Sequence, residues 1–185
     1  MGDSGAFTQL GFVVKNLDES IKRYSALLKI GPFVLFDFQF EDYRYLGRPS
    51  ESPVLKVGIC FRGEVQYELM QQVNDVPSPY RHYARHAGEG LQHVGGPWAR
   101  SVEEYRAQQS DLLERGYLEL QSGLVSGADI RFSYFSDGEV YPAFEIADAN
   151  KPAILPIHTV MREMARDWDG KRLTVSSSDL ASYVK

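Results

Sequence analysis

The sequence predicts an α+β fold in which one module, with the element order β-α-β-β-β, occurs twice and is followed by a C-terminal helix. Residues 16–31 combine an Asn-x-x-Glu start with a Leu-Leu-x-x-Gly end, and residues 101–116 repeat this as Ser-x-x-Glu and Leu-Leu-x-x-Gly. Strand patterns precede and follow both segments in the same order. The repeat is longer than the roughly 20–50 residues of a solenoid unit, so it indicates duplication of a whole half of the domain.

The first module begins with a predicted strand at residues 7–14, which are rich in apolar and β-branched side chains. Asn16 is a preferred helix N-cap, and Glu19 completes a capping box with it. Apolar residues then recur on one helical face as far as Leu28. The Gly-Pro pair at 31–32 is the predicted stop of this helix.

Three more strands complete the first module. Residues 34–41 alternate between apolar and polar side chains, which predicts a strand with one buried face. The Pro- and Ser-rich residues 47–53 are a predicted loop. Residues 54–61 and 65–70 are two further predicted strands joined by a tight turn at Arg62-Gly63.

The second module repeats this order of elements. Ser101 is the predicted cap of its helix, and Gly116 is a suitable C′ residue. The Ser-Asp-Gly segment at 136–138 is a strong hairpin turn. The predicted strands of this module lie at residues 91–95, 117–124, 129–135 and 139–146.

The predicted division of the chain follows from these patterns. The first module spans residues 1–73, and residues 74–88 form a linker with a short helix at 80–86. The second module spans residues 89–147, and a tail follows at residues 148–185.

The tail carries one more helical pattern, with Pro156 suited to a first turn and Gly170 to the position past the end. We expect its apolar stripe to pack on the sheet of its own chain. A dimer contact is the alternative, because Met and Trp are enriched at protein interfaces. The stripe consists of Ile157, Met161, Met164 and Trp168. The mostly polar residues 174–185 are expected to be only partly ordered.

Composition excludes several classes of function. The net charge of −5 and the lack of a basic stripe argue against nucleic-acid binding. No stretch approaches the roughly 18 apolar residues of a membrane span, and the N-terminus lacks the pattern of a signal peptide. The single cysteine, Cys60, lies in an apolar run and is expected to be buried. We therefore expect a cytoplasmic protein without an internal disulfide bond.

Four side chains that can bind a metal stand at matching places in the two modules. Gln9 and His93 lie in the first predicted strand of each module, and Glu68 and Glu145 lie in the last. Taken singly, Gln9 or either glutamate suits the solvent-facing side of a strand, and His93 suits a core position with a satisfied hydrogen bond. The correspondence between the modules favours one shared site instead.

A divalent cation would explain why carboxylates interrupt apolar strands. A buried carboxylate is costly unless it is paired or bound to a cation. Two such groups close together repel each other, so that one becomes protonated unless a divalent ion lies between them. The sequence thus predicts a metal site made from Gln9, Glu68, His93 and Glu145.

The Gly-Glu-Gly-Leu-Gln-His-Val-Gly segment at residues 88–95, together with the order of the other motifs, resembles the vicinal oxygen chelate superfamily. This is the glyoxalase, bleomycin-resistance and extradiol-dioxygenase group. The resemblance covers about residues 6–147 and is strongest to the methylmalonyl-CoA epimerase and glyoxalase-like branch. It implies paired βαβββ modules that form a U-shaped mixed sheet around a central metal.

The resemblance also places the ligand positions of the superfamily at the same four residues. The epimerase branch usually has His at the position of Gln9 and Gln at the position of Glu68. The set found here is closer to that of eukaryotic-type glyoxalase I. One imidazole and three oxygen donors suit Zn²⁺, Mn²⁺, Co²⁺, Ni²⁺ or Mg²⁺.

The activity that this resemblance implies is proton transfer at the carbon next to a carbonyl, through a metal-bound enolate. We therefore expect a metal-dependent isomerase, epimerase or lyase, with Glu145 as the base and Glu68 as its symmetry-related counterpart. The expected substrate is a bulky apolar, aromatic or thioester compound. The aromatic residues within 33–45, together with Arg44, could contribute to its binding or simply pack in the core.

Two other functions remain open from the sequence. The first is a non-catalytic protein that binds or sequesters a small molecule, although relatives of that kind lack a complete ligand set. The second is an iron-dependent dioxygenase, which the ligand set disfavours because such enzymes use two histidines and one carboxylate. The expected partners are a small-molecule substrate and a second copy of the chain, with no nucleic acid and no membrane.

Overall fold

The computed structural model describes residues 8–138 and 141–183, and their strands form one mixed sheet flanked by α-helices. The strands are β1 (Gln9–Val13), β2 (Phe33–Phe38), β3 (Phe40–Tyr45), β4 (Arg48–Pro49), β5 (Leu55–Arg62), β6 (Val65–Gln72), β7 (Gly90–Gly95), β8 (Leu118–Val125), β9 (Ile130–Ser136), β10 (Ala143–Ala147) and β11 (Thr174–Ser176). The helices are α1 (Leu17–Leu28), α2 (Pro79–His86), α3 (Val102–Glu114) and α4 (Leu155–Arg166), with a 3-10 helix at Ser177–Ser182.

The order of the strands shows the duplicated plan. The first half contributes β2-β5-β6-β1 and the second contributes β7-β10-β9-β8, so that one half is the mirror image of the other in strand order. Strand β1 is parallel to β6, β7 is parallel to β10, and β1 and β7 meet antiparallel at the centre. The predicted α+β class with a mixed sheet is confirmed. The sheet is open, with β11 and β4 at its edges.

Burial divides the sheet into two faces. On the outer face, α1 packs with Cys60 and Leu69, and α3 packs with Phe135. The inner face carries a larger apolar cluster that includes Tyr80 of α2 and Met161 of α4. Because alternate residues of a strand point to opposite faces, a strand such as β6 contributes to both, with Met70 in the inner-face cluster and Leu69 in the outer-face cluster.

Both module helices begin where the sequence predicts. The Asn16 side chain accepts a hydrogen bond from the backbone N–H of Glu19, and Ser101 accepts one from that of Glu104. Gly116 has a φ of 85° directly after the last turn of α3, as expected for a C′ glycine. The end of α1 differs from the prediction, because Lys29, with a φ of 55°, is the left-handed residue there rather than Gly31.

Cys60 is buried as expected, with its side chain in the outer-face cluster. Burial raises the pKa of its thiol to about 12, so that it stays protonated at neutral pH.

The aromatic stretch predicted as one strand at residues 34–41 is divided between the two halves. Strand β2 pairs with β5 in the first half, whereas β3 pairs antiparallel with β8 in the second. The physical reason is burial: Phe40 packs 4.5 Å from the ring of Phe132, in the inner-face cluster. The predicted loop at 47–53 contains β4, which pairs with β3.

The tail packs on its own chain, which confirms the first of the two readings of its apolar stripe. Helix α4 lies against β5, with Met161 buried and the ring of His158 5.6 Å from that of Phe61. Trp168 lies beyond the end of the helix and packs over Gly31, where an added Cβ would lie 2.7 Å from its Cε2 atom.

The expectation of partial order after residue 174 is wrong for the described residues. Strand β11 pairs in parallel with β2, and Val175 and Leu180 are buried. Apolar burial therefore orders a segment that its polar composition disfavours. Residues 184–185, residue 7 of the first predicted strand and residues 139–140 of the last one lie outside the described residues, and β10 begins at Ala143.

No α-helix in the described part of the chain combines the length and the apolar character that crossing a bilayer requires.

Candidate metal centre

The structure brings the four candidate side chains together at the middle of the sheet: Gln9 on β1, Glu68 on β6, His93 on β7 and Glu145 on β10. These strands are neighbours in the order β6, β1, β7, β10. In the register of the sheet, Gly11 lies between Glu68 and His93 on the neighbouring strands. Gly95 lies in the same way between Gln9 and Glu145. The convergence predicted from the repeat is therefore a feature of the fold.

The potential ligand atoms of these residues are close to one another. His93 Nε2 lies 3.1 Å from Gln9 Oε1, 3.4 Å from Glu68 Oε2 and 3.1 Å from Glu145 Oε2. Gln9 Nε2 donates to Glu68 Oε2 at 3.5 Å. His93 is fully buried, and each of the other three residues is less than a tenth exposed.

Two glycines make the space that these side chains occupy. A Cβ at Gly11 would lie 1.8 Å from the imidazole of His93, and one at Gly95 would lie 2.6 Å from Gln9 Oε1. No side chain other than hydrogen fits at either position without displacing a candidate ligand. The sequence pattern holds both glycines two residues after Gln9 and His93, in the forms Gln-Leu-Gly and His-Val-Gly.

Gln92 sets the orientation of the imidazole. His93 Nδ1 lies 2.9 Å from Gln92 Oε1, and Gln92 is itself fully buried. An amide oxygen can only accept, so Nδ1 carries the hydrogen and Nε2 faces the other three side chains. A histidine that binds a metal is held in this way in proteins, with its second nitrogen bonded to an acceptor. Sequence reasoning missed Gln92, because a polar residue next to His93 carries no distinctive signal.

The charges within this cluster depend on one another. Burial lowers the pKa of His93, but hydrogen bonds and charges from Glu145 and Glu68 outweigh it, raising the pKa to about 9. Burial raises the pKa of Glu145, whereas His93 and the hydroxyl of Tyr134 oppose that rise. Without a cation, a protonated His93 therefore compensates the two carboxylates.

The residues present fit a divalent cation. Ligand atoms that bind one ion at about 2.0–2.2 Å lie about 3.0–3.4 Å apart, which matches the separations in the cluster. Three of the groups, Glu68, His93 and Glu145, offer ligand atoms that all lie within 4.8 Å of one another. Glu145 Oε2 is buried and accepts no hydrogen bond, although His93 Nε2 is near. A buried oxygen without a donor is a suitable ligand for a cation.

A cleft of about 620 Å³ lies beside this cluster. Gln66 of β6 and Phe61 of β5 line it, and these two residues are paired across the strands. Gln66 is two residues before Glu68, so both side chains lie on the inner face of β6. Trp98 lines the cleft as well and packs against Gly95. Helix α4 contributes the opposite wall through His158 and Arg162. The cleft is thus adjacent to the cluster, and its lining does not include any of the four candidate ligands.

The aromatic segment 33–45 takes part in the core rather than in this cleft. Phe40 and Tyr43 are buried in the inner-face cluster. Arg44 is exposed, and its guanidinium donates to the backbone oxygen of Gly47. The structure therefore supports the packing interpretation of these aromatic residues, and Arg44 does not reach the candidate site.

Comparison with known proteins gives the family. A model described as the Glyoxalase/Bleomycin resistance protein/Dioxygenase superfamily matches residues 8–135, which is well over half of the chain. The chain belongs to this superfamily. The match includes Gln9, Glu68 and His93 and ends before Glu145. A search of curated protein sequences found no significant match.

Several solved structures share the fold of this chain at low sequence identity. Methylmalonyl-CoA epimerase from Mycobacterium tuberculosis is 16% identical, with a TM-score of 0.54 over 82% of this chain and 93% of that one. A hypothetical protein from Bacillus halodurans is 17% identical, with a TM-score of 0.54 over 78% and 94%. A variant of Streptomyces coelicolor methylmalonyl-CoA epimerase, in complex with 2-nitronate-propionyl-CoA, is 13% identical, with a TM-score of 0.50 over 77% and 92%.

Proposed function

We propose that this protein is a metal-dependent isomerase, epimerase or lyase that transfers a proton at the carbon next to a carbonyl group. The observation that carries the proposal is the meeting of one imidazole, two carboxylates and one amide oxygen in a buried cluster on four adjacent strands. Gln9, Glu68, His93 and Glu145 would hold the metal, which is Zn²⁺, Mn²⁺, Co²⁺, Ni²⁺ or Mg²⁺ by donor type. When bound, such an ion polarises a carbonyl oxygen and makes the neighbouring C–H bond more acidic.

Glu145 is the proposed base in this reaction. Burial raises the pKa of its carboxyl group, which makes the ionised form a stronger proton acceptor. Once a metal occupies His93 Nε2, which lies 3.1 Å away, the Oε2 atom of Glu145 has no hydrogen-bond donor and can take a proton. Glu68 is the symmetry-related candidate, but one of its oxygens already accepts a hydrogen bond from Gln9. Glu68 therefore fits a role as ligand better than a role as base.

The cleft supports a substrate with a bulky apolar or aromatic part. The partly exposed Trp98 and the buried Phe61 are aromatic residues of its lining. Its two guanidinium groups are already paired, that of Arg100 with Glu104 and that of Arg162 with Glu64. An aromatic or acyl-thioester compound thus suits the cleft better than a compound with several negative charges.

Three measurements test this proposal. Purified protein should contain close to one divalent metal per chain by elemental analysis. The metal-loaded protein should exchange the α-protons of aromatic acyl thioesters for deuterium in D₂O, as followed by NMR. Protein stripped with a chelator should lose the exchange and regain it when the metal returns.

A pair of variants gives this test its control. Glu68→Gln should lose the metal, because an amide oxygen replaces a charged ligand. Glu119→Gln removes the charge of a partly buried glutamate of β8, outside the cluster. This variant should keep the metal. Exchange at full rate in metal-free protein would contradict the proposal.

Burial of the cluster favours a second candidate function. All four residues are less than a tenth exposed, and the cleft lies beside them rather than over them. A protein that only binds or sequesters a small molecule would use the cleft without the cluster. Ligand binding that is unaffected by chelator, without turnover, would support this function. Oxygen uptake with catechols would instead support the iron-dependent dioxygenase.

The cytoplasmic location and the homodimer remain predictions. Light scattering on a size-exclusion column measures the mass of the particle directly. A value near twice the 20.9 kDa of one chain supports the dimer.

A further inference from the structure

A row of buried polar groups leads away from the candidate metal centre across the second half of the sheet. The hydroxyl of Tyr134 lies 3.4 Å from His93 Nε2, and the hydroxyl of Tyr80 lies 3.2 Å from that of Tyr134. Gln121 Nε2 donates to the Tyr80 hydroxyl at 2.8 Å, and the hydroxyl of Tyr43 donates to Gln121 Oε1 at 2.9 Å. All of these side chains are buried.

The amide of Gln121 sets the direction of every hydrogen bond in this row. Its Nε2 atom can only donate, so the oxygen of Tyr80 accepts and the Tyr80 hydrogen is free for Tyr134. The oxygen of Tyr134 then accepts from Tyr80, and the hydrogen of Tyr134 points toward the metal centre. Successive bonds of this kind polarise one another in the same direction.

Few acceptors remain for the hydrogen of Tyr134. The lone pair of His93 Nε2 is the one that a metal would use, which removes this atom as an acceptor in the loaded protein. The carboxylate of Glu145, the proposed base, accepts a side-chain hydrogen bond from Tyr134. A substrate oxygen bound beside Glu145 at the centre would be the other acceptor open to this hydrogen.

We propose that Tyr134 is a catalytic hydrogen-bond donor that stabilises the negative charge on the substrate oxygen, and that Tyr80, Gln121 and Tyr43 position it. This inference rests on the proposed function. A phenol suits the role because it stays protonated at neutral pH and donates a single, directed hydrogen. The substrate oxygen in question is the carbonyl oxygen, which gains charge when the α-proton leaves.

The outermost member of the row belongs to the strand that crosses to the second half. Tyr43 lies on β3, which pairs with β8, the strand that carries Gln121. The first half thus supplies the residue that holds the amide of Gln121 in one orientation. Without the Tyr43 hydrogen bond, the amide could turn over and reverse the direction of the row.

An oxyanion probe tests this inference on the Co²⁺-loaded protein, without any need for the true substrate. Acetohydroxamate, a small anionic metal ligand, is titrated while the visible absorption of Co²⁺ is recorded. Tyr134→Phe keeps the ring and removes the donor. We expect it to bind Co²⁺ like the wild type and acetohydroxamate about tenfold to hundredfold more weakly, as for a lost hydrogen bond to a charged group.

Two further variants separate this role from a structural one. Tyr80→Phe removes the group that orients Tyr134, and we expect acetohydroxamate to bind about threefold to tenfold more weakly. Tyr105→Phe is the matched control, because its buried hydroxyl bonds to Ser133 of the same strand but on the outer face. It should leave the affinity unchanged. If Tyr134→Phe does not fold, the contrast between Tyr80→Phe and Tyr105→Phe decides the question.

The possible outcomes are distinct. Wild-type protein that takes up no Co²⁺ would overturn the proposed function and this inference together. Co²⁺ uptake with equal acetohydroxamate affinity in the wild type and in the Tyr134 and Tyr80 variants would overturn this inference alone. A graded loss, largest for Tyr134→Phe, would support it.

Discussion

The two halves of the chain share one plan but treat their carboxylates differently. Glu68 and Glu145 occupy matching positions in the last strand of each half. The residue paired with Glu68 across the neighbouring strand is Ile59, whereas the residue paired with Glu145 is Tyr134. One carboxylate thus faces an apolar neighbour and an amide, and the other faces a hydroxyl at the end of a polar row.

This difference indicates how a duplicated scaffold can become asymmetric in its chemistry. The first half contributes Gln9 and Glu68, which hydrogen-bond to each other. The second half contributes the imidazole, its orienting amide and the hydroxyl of Tyr134. In our proposal both halves supply metal ligands, and the second half also carries the proton transfer.

Two single variants, in which Gln9 or His93 is replaced by the residue at the equivalent position, test this asymmetry. We expect their effect on metal affinity to be the largest of those predicted. His93→Gln removes the only imidazole of the cluster, and we expect the affinity for Zn²⁺ to fall by about a hundredfold or more. Gln9→His adds a second imidazole and should keep or increase the affinity. Competition with a chromophoric chelator measures both values. Equal losses in the two variants would show that the halves are equivalent as ligands.

The glycines between the ligands are the next point of comparison. Gly11→Ala would place a Cβ 1.8 Å from the ring of His93, and we expect it to lower the free energy of unfolding by about 2–3 kcal/mol. Gly95→Ala would place a Cβ 2.4 Å from Cη2 of Trp98 and 2.6 Å from Gln9 Oε1, and it should cost less because the partly exposed Trp98 and the end of the glutamine side chain can both shift.

Gly58→Ala is the control for this pair. Its Cβ would come no closer than 3.2 Å, to Ile21 Cδ1, on the outer face. Urea titrations of all three variants measure how much each one lowers the free energy of unfolding. A milder effect for Gly11→Ala than for Gly58→Ala would contradict the packing of His93 against β1.

Helix α4 of the tail packs on β5 in the first half of the sheet, which predicts a local effect on stability. Met161 of α4 is buried against the inner face. Met161→Ala should lower the free energy of unfolding by about 2 kcal/mol, because a cavity remains in the core. Leu155→Ala changes a residue of the same helix that is 44% exposed, and it should stay within about 0.5 kcal/mol of the wild type. Equal effects would mean that α4 does not pack as described.

Acid should also weaken the packing of α4 on the sheet, because His158 lies in this contact. We expect this to be the smallest of the effects on stability. Burial, and then the charge of Arg162, lower the pKa of His158 to about 4, below its ordinary value near 6.5. The unfolded chain therefore binds a proton that the folded chain does not, and stability present above about pH 6.5 is lost as the pH falls toward 4.

Denaturation of the wild type and of His158→Gln between pH 7 and pH 4.5 measures this difference. We expect the wild type to lose on the order of 1–2 kcal/mol more than the variant over that range. Parallel profiles for the two proteins would show that His158 is not buried against Phe61.

Local patterns were sufficient for much of the fold. Capping residues and apolar periodicity placed α1, α3 and the short helix α2, and the turn patterns placed the strands of both modules. The division between β2 and β3 was not visible, because the alternation of residues 34–41 continues through the break. Only the pairing of β3 with the distant β8 decides it. The order of β11 depends in the same way on an edge of β2 far away in sequence.

The four candidate ligands were found from the sequence because duplication places equivalent residues at equivalent strand positions, and their roles remain predictions. Gln92, Tyr134 and Gly11 were not found, since each matters only through a neighbour in space.

The amino-acid sequence by itself determined the repeated β-α-β-β-β order, the starts of the two module helices and the matching places of the two glutamates, because these follow from patterns of residues close in the chain. The tertiary structure alone decided that Gln92 and Tyr134 also meet His93 and how the row of hydroxyls runs. Those contacts join strands that are distant in sequence, and sheet register sets them.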